Sequence, residues 1–279
     1  SKGYKVWALL SNDSQNTGMT HRFLTNTDSR DNFIRGILVY AMLYKLDGIN
    51  IDFENVNIDD KGALSQFIRE AAPLLREQGL TVSVDVTPVG GSANWSQCYD
   101  RKEIGRVSDY VMLMGYDQSW PEPGPNSQIS WVEQSIKNTL KEVPEEKLVL
   151  GIPTYTRVWK EGKDKSGKAK YLYDSVLTMD NARKLLLDNK ADVKWDESFG
   201  QFYAEFKKKG VNYKLWLEDS EAVEQKTGLV HKYSLAGVSL WSKSFSNDKT
   251  WKVIAQDVKG INDYNSWALS VKDRKYVFP

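Results

Sequence analysis

Apolar positions along this chain recur in two rhythms. Short apolar runs stand at 5–10 (Lys5-Val6-Trp7-Ala8-Leu9-Leu10), 48–54, 81–87, 110–116, 147–153 and 237–241. Runs of this length bounded by turn residues read as buried parallel strands. Between most of them the apolar spacing changes to a helical one. Phe33, Ile34, Ile37, Leu38, Ala41 and Tyr44 keep a helix period after the capping candidates Asp28 and Ser29. Leu64, Phe67, Ile68, Ala71, Leu74 and Leu75 do the same, with Gly79 as the stop. Residues 131–143 form a third helical pattern, ended by Pro144. Strand alternating with helix predicts a parallel α/β architecture. No internal repeat at a solenoid period is visible.

One gap breaks the alternation. Roughly 70 residues separate the fifth strand from the helix before the sixth, far more than a crossover needs. The stretch has patterns of its own: Tyr171-Leu172-Tyr173, a helix near 181–187, Val193-Lys194-Trp195 and Tyr213-Lys214-Leu215-Trp216. It predicts an α+β insertion over 156–217, with an exposed Gly/Lys loop at 163–170, set into an α/β body formed by 1–155 and 218–279. A barrel would place such an insertion, at a strand's carboxyl end, as a wall of its cleft.

The second strand carries the strongest chemical signal. With the strand period of two, Ile49, Ile51 and Phe53 share one face, and Asn50, Asp52 and Glu54 share the other. Carboxylates are almost never fully buried without a partner, so this polar row points to a working cleft. The other strands repeat the design. Ser83, Asp85 and Thr87 lie opposite Val82, Val84 and Val86; Met112, Met114 and Tyr116 share a face, with Asp117 next; Gly151, Pro153 and Tyr155 share a face; Trp241 ends the sixth strand. Polar and aromatic side chains therefore gather at strand carboxyl ends, where α/β barrels and open α/β sheets hold their sites. Carboxylates at i and i+2 lie about 7 Å apart at the backbone, close enough to share a hydrogen bond. Two such charges do not ionise together cheaply, so one pKa rises, and a carboxyl still protonated near neutral pH can serve as a general acid. Aromatic rings beside carboxylates suit a sugar, whose C–H faces stack while its hydroxyls hydrogen-bond.

Composition narrows the field. The net charge of +1 gives no electrostatic footprint for nucleic acid or an anionic membrane. No apolar run approaches the ~18 residues of a membrane span. The single cysteine, Cys98, excludes an internal disulfide and fits a cytosolic or a surface protein equally. His21 and His231 lack ligand spacing, so neither a metal site nor a cofactor is expected. The opening Ser1-Lys2-Gly3-Tyr4 is no secretory leader and reads as the interior of a longer chain. Some residues keep two readings: Asp85 as core hydrogen bonding or substrate contact, Asp117 as site residue or turn, Met112 as core filler, and Trp120 as loop residue or sugar platform.

Four motifs in order carry a family resemblance. They are Asp47-Gly48-Ile49-Asn50-Ile51-Asp52-Phe53-Glu54, Met114-Gly115-Tyr116-Asp117, Gly151-Ile152-Pro153-Thr154-Tyr155-Thr156-Arg157 and the strand-ending Trp241. Spread over nearly the whole chain, they resemble family 18 glycoside hydrolases, the chitinase group, and are similar to its spore-cortex and peptidoglycan branch. The resemblance implies a (β/α)8 barrel of the TIM type. It implies hydrolysis of β-1,4-linked N-acetylglucosaminyl bonds in peptidoglycan or chitin, at an extracellular cell wall or spore envelope. Glu54 would be the acid and then the base. Asp52 would hold the substrate's N-acetyl group, whose carbonyl oxygen attacks the anomeric carbon. Tyr116 would donate to that acetamide. Asn50, Met114, Asp117, Tyr155, Arg157 and Trp241 would contact substrate, with Trp241 as the floor of the cleaved sugar's subsite. No enzyme carboxylate acts as nucleophile in this substrate-assisted scheme.

Two departures from the family pattern stand out. Asn50 stands where many chitinases have Asp. An amide cannot share a proton with Asp52, so Asp52 is expected to lean toward Glu54 and the acid limb of the pH profile to change. The family's Glu lies on the fourth strand, whereas one strand precedes it here. The expectation is a barrel without its first two β/α units, with open edges that association between copies would cover. A rival reading is a catalytically weak, lectin-like sugar-binding module of the same fold.

Overall fold

The computed structural model describes residues 3–261, 263–271 and 274–277. Residues 1–2 and 278–279, the ends of the expected α/β body, lie outside the described residues. The chain divides into two compact units, Ser1–Met114 with Ile136–Val149, and Gly115–Ser135 with Leu150–Pro279.

The first unit runs β1 (Trp7–Ser11), α1 (Thr17–Thr25), α2 (Thr27–Tyr44), β2 (Gly48–Asp52), α3 (Lys61–Glu77), β3 (Thr81–Val86), α4 (Arg101–Val107) and β4 (Tyr110–Met114). Its strands lie in the order β1-β2-β3-β4, all parallel. One device aligns two strand pairs. Asp47, just before β2, accepts from the Val6 N–H at 2.8 Å, and its own N–H donates to the Val6 carbonyl. Asp109, just before β4, does the same to Val82 on β3. A carboxylate at the strand entrance satisfies a backbone donor that would otherwise be left unpaired. Gly48 is required here: a Cβ would come within 2.7 Å of both the Thr81 carbonyl and the Trp7 ring. The outer row of β2 is core. Ile49, Ile51 and Phe53 are buried with Leu64, Phe67, Ile68, Ala71 and Leu75 of α3. Phe53 stacks on Phe67 with ring centroids 5.5 Å apart. Helix α2 starts one or two residues before the expected caps, because Asn26 accepts from the Ser29 N–H. Among the described residues no strand pairs with the free side of β1. Val6 and Leu9 are exposed, as are Val39, Tyr40, Met42, Leu43 and Tyr44 on α2.

Helix α5 (Ile129–Thr139) and strand β5 (Leu148–Pro153) pass from one unit into the other. The second unit continues with β6 (Tyr155–Lys163), β7 (Ala169–Thr178), α6 (Met179–Asp188), β8 (Asp192–Asp196), β9 (Gln201–Lys208), β10 (Val211–Leu217), α7 (Ser220–Lys232), β11 (Gly237–Trp241), α8 (Asp248–Gly260) and α9 (Tyr264–Ser270). Strand β11 neighbours β5. Residues 155–217 form a five-stranded antiparallel sheet in the order β7-β6-β10-β9-β8. One face packs on α6: Val158, Phe202, Ala204, Leu215 and Leu217 bury against Ala182 and Leu186. All six strands expected from the apolar runs are present, and the helix expected at 181–187 is α6. Strands β6 and β9 escaped the reading. Phe202, Ala204 and Phe206 do keep period two, but charged residues interrupt the run.

Candidate active site

The first unit brings Asn50, Asp52 and Glu54 together at the carboxyl end of β2. Asp52 and Glu54 share a side-chain hydrogen bond. Burial raises the Asp52 carboxyl above its ordinary range, and the bond to Glu54 opposes that shift. Asp52 Oδ1 is buried without a hydrogen-bond partner among the described residues. Backbone clamps hold the pair in place. The Asn12 side chain, just past β1, accepts from the Glu54 N–H at 2.9 Å and donates to the Glu54 carbonyl at 2.9 Å. The Tyr99 hydroxyl donates to the Phe53 carbonyl at 2.9 Å. Asn55 adopts a left-handed backbone conformation, φ 49°, and its amide donates to the Ser14 carbonyl. An Asn tolerates that region better than most residues. The strand is thus turned sharply just after the acid, with the Phe53 carbonyl and both Glu54 backbone groups satisfied by side chains.

Asn50 is engaged on both sides. Its Nδ2 donates to Asp85 Oδ2 at 2.8 Å, and its Oδ1 accepts from Ser83 Oγ at 2.5 Å. Both partners lie on β3, where Ser83 is the register partner of Asn50. Asp85 is pushed up to about 8 by burial first and then by the Asp52 charge. Arg101 closes the segment after β3, donating to the Thr87 and Ser96 carbonyls. Among the described residues no group of three or more His, Cys, Asp or Glu side chains is arranged to hold a metal.

The second unit assembles another polar group. Tyr116 and Asp117 follow β4, and Tyr155 and Arg157 begin β6. Arg157 Nη2 pairs with Asp117 Oδ1 at 2.6 Å, and the Tyr155 hydroxyl donates to the same oxygen. The Tyr155 phenol is raised by burial and by the Asp117 charge. Buried Asn126 ties the group together: its Oδ1 accepts from the Asp117 N–H at 3.1 Å and from Arg157 Nη1 at 3.2 Å. Asp117 adopts φ 62°, so its backbone makes a tight corner at the strand end. The Tyr116 ring meets the Tyr155 ring edge-on at 6.4 Å. The Arg157 guanidinium lies 5.1 Å over the Trp120 ring, and Trp120 itself is 56% exposed. Trp241 ends β11 at 48% exposure, and its carbonyl accepts from the Thr154 N–H. Met114 is buried at the end of β4 in the first unit.

The first unit thus holds a hydrogen-bonded carboxyl pair at a strand end, and the second holds an Asp–Arg–Tyr cluster with aromatic neighbours. A model of the family described as glycosyl hydrolases family 18 matches residues 1–245. The chain belongs to glycosyl hydrolase family 18. An uncharacterized glycosylase of Bacillus subtilis, YvbX, is 28% identical over 269 residues, covering 92% of this chain and 76% of that protein. The cortical fragment-lytic enzyme of Bacillus anthracis is 25% identical and covers 89% of this chain. This chain spans only 58% of that enzyme. The Bacillus megaterium spore cortex-lytic enzyme SleL superposes with a TM-score of 0.83 at 22% identity, over 91% of this chain and 59% of its own. A chitinase from Chromobacterium violaceum gives 0.81 at 23% identity, over 92% of this chain and 80% of its own. These likenesses at low identity show a shared fold, that of chitinase-like TIM-barrel proteins in this family.

Family membership does not point to Asn12, Ser83, Asp85, Tyr99 or Asn126, each of which holds a motif residue in place. Asp85 was legible as an inward polar residue on its strand. Asn12 and Asn126 lie in segments without periodicity, and only the folded backbone shows what they bind.

Proposed function

We propose that this family 18 member cleaves β-1,4-linked N-acetylglucosaminyl bonds in peptidoglycan or chitin, by substrate-assisted catalysis with retention. The observation that carries the reading is the Asp52–Glu54 hydrogen bond at the end of β2, with Glu54 clamped at both backbone atoms by Asn12. Glu54 gives its proton to the glycosidic oxygen as the bond from that oxygen to the anomeric carbon breaks. The substrate's acetamide oxygen attacks the anomeric carbon, and a cyclic oxazolinium forms. Asp52 accepts a hydrogen bond from the acetamide N–H and faces the developing positive charge. Water then attacks the anomeric carbon and loses a proton to Glu54, which regenerates the acid. In this scheme Tyr116 donates to the acetamide oxygen, Asn50 and Met114 support the acetamide side, Asp117 with Tyr155 and Arg157 receives sugar hydroxyls, and Trp241 stacks on a sugar face. The catalytic body is assigned to 1–155 and 218–279, and the insertion to 156–217. The names of the cortex-lytic and chitinase relatives favour a wall polysaccharide at an extracellular site as substrate.

The test is hydrolysis of chitooligosaccharide and of purified cell-wall glycan by the protein beside Glu54→Gln. Reducing ends released by the parent and reduced by about a thousandfold or more in the variant are the expected result. Equal binding of glycan by both proteins with no turnover in either would refute the enzyme reading in favour of a lectin-like module.

A further inference from the structure

Asn50 leaves Asp52 without a carboxyl on the side of its strand away from Glu54, yet a carboxyl stands beside it on the next strand. Ile51 pairs in register with Val84, so the next step along the two strands sets Asp52 beside Asp85. Neighbouring strands lie about 4.8 Å apart, close enough for the two side chains on the same face to interact. The Asn50 amide fixes Asp85 from below. Ser83 Oγ donates to Asn50 Oδ1, which leaves Nδ2 as the donor that faces Asp85 Oδ2. Asp85 Oδ2 is therefore an occupied acceptor, and its other oxygen is left to carry a proton. Asp52 Oδ1 is a buried acceptor without a donor among the described residues.

We propose that Asp85 is a positioning residue of the Asp52–Glu54 pair, which holds beside Asp52 the proton that a carboxyl at position 50 would otherwise hold. The proposal rests on the glycosidase reading for its catalytic consequence, though not for the proton itself. The charged groups that face Asp85 are Asp52 and Glu54 from β2; its register partner on β4 is Met112, which brings no charge. Arg101 is turned to the Thr87 and Ser96 carbonyls. With Asp85 neutral, one fewer negative charge faces Asp52, which favours its anionic form as the acceptor for Glu54 and the acetamide. Burial and the Asp52 charge push Asp85 to about 8, so it ionises only on the alkaline side. Its charge then resists ionisation of Glu54 and extends the range over which the acid keeps its proton.

Two measurements test this. The first is the pH profile of kcat/KM on chitooligosaccharide for the parent and for Asp85→Asn, a near-isosteric change that keeps a neutral group in place. The alkaline limb of the variant is expected to move acidward by up to about 1.7 pH units, with the acid limb unmoved, as one charge about 7 Å away at a surface-like dielectric implies. Superimposable limbs, or a uniform drop at every pH, would overturn the proposal. The second needs neither turnover nor a variant: the Asn50 side-chain amide followed by ¹⁵N NMR against pH. A step with a midpoint near 8 supports Asp85 as the proton holder. A step below pH 5 with none on the alkaline side overturns it. Absence of turnover in the parent with the alkaline step present would refute the glycosidase reading alone.

Discussion

Removing Lys226 is expected to destabilise the protein strongly, and more at high pH than at low. Lys226 and Glu218 are buried together at 1% and 0% side-chain exposure, with Nζ 2.8 Å from Oε2. Gln201 donates to the other carboxylate oxygen at 2.7 Å, and the Glu218 N–H donates to Thr156 Oγ1. Burial pushes the Glu218 carboxyl up to about 7, and Lys226 is the largest influence holding it down. Lys226→Met keeps most of the apolar stem and deletes the charge. It leaves an uncompensated buried carboxylate, a change that costs about 3–5 kcal/mol. For a chain of this size each kcal/mol is about 2 °C in Tm, so a fall of about 6–10 °C is expected at pH 8. A carboxyl whose folded pKa lies above its unfolded one contributes stability that is fully present below the unfolded value, about 4.5, and lost as pH rises through the folded value. Without Lys226 the folded value climbs further, so the variant loses more stability than the parent between pH 5 and pH 8. Thermal unfolding followed by circular dichroism at those two pH values reads the effect. Adding Glu218→Gln to Lys226→Met removes the unpaired charge and restores part of the loss. A Lys226→Met protein within 1 kcal/mol of the parent at pH 8, or a loss independent of pH, would refute the reasoning.

Two further substitutions probe the second unit. Arg157→Lys cannot keep both the Asp117 pair and the planar contact 5.1 Å over Trp120; kcat/KM on chitooligosaccharide is expected to fall about tenfold or more, and unchanged kinetics would remove Arg157 from substrate contact. Trp120→Ala deletes an exposed ring that meets Tyr173 edge-on at 5.0 Å. It is expected to raise KM for polysaccharide up to about tenfold with Tm within about 2 °C of the parent; an unchanged KM would make Trp120 a loop residue only.

The relation between Asn50 and Asp85 shows how far a strand pattern reaches. Period two put Asn50, Asp52 and Glu54 on one face of β2, and put Ser83 and Asp85 on one face of β3. It could not say which step of β3 lies beside which step of β2, because register comes from pairing between strands. Once Ser83 sits opposite Asn50, the amide is committed to β3 and is no idle replacement for a carboxyl. The same limit hid Asn12 and Asn126. Each sits in a segment without periodicity, and each bonds a backbone atom of a residue distant in sequence, Glu54 for Asn12 and Tyr155 for Asn126.

By itself the sequence determined the alternation of strand and helix, the six apolar strands, the presence of an α+β segment before the last of them, and the motif residues of the family. Those features are local: side-chain period, turn residues and short-range spacing decide them. Tertiary structure decided what neighbouring strands do to one another. It set Asp85 against Asn50, gave Glu54 its Asn12 clamp, and joined Asp117, Tyr155 and Arg157 through Asn126. The physical reason is that hydrogen bonds and burial, which tune a carboxyl, depend on distances across space that no spacing along the chain encodes.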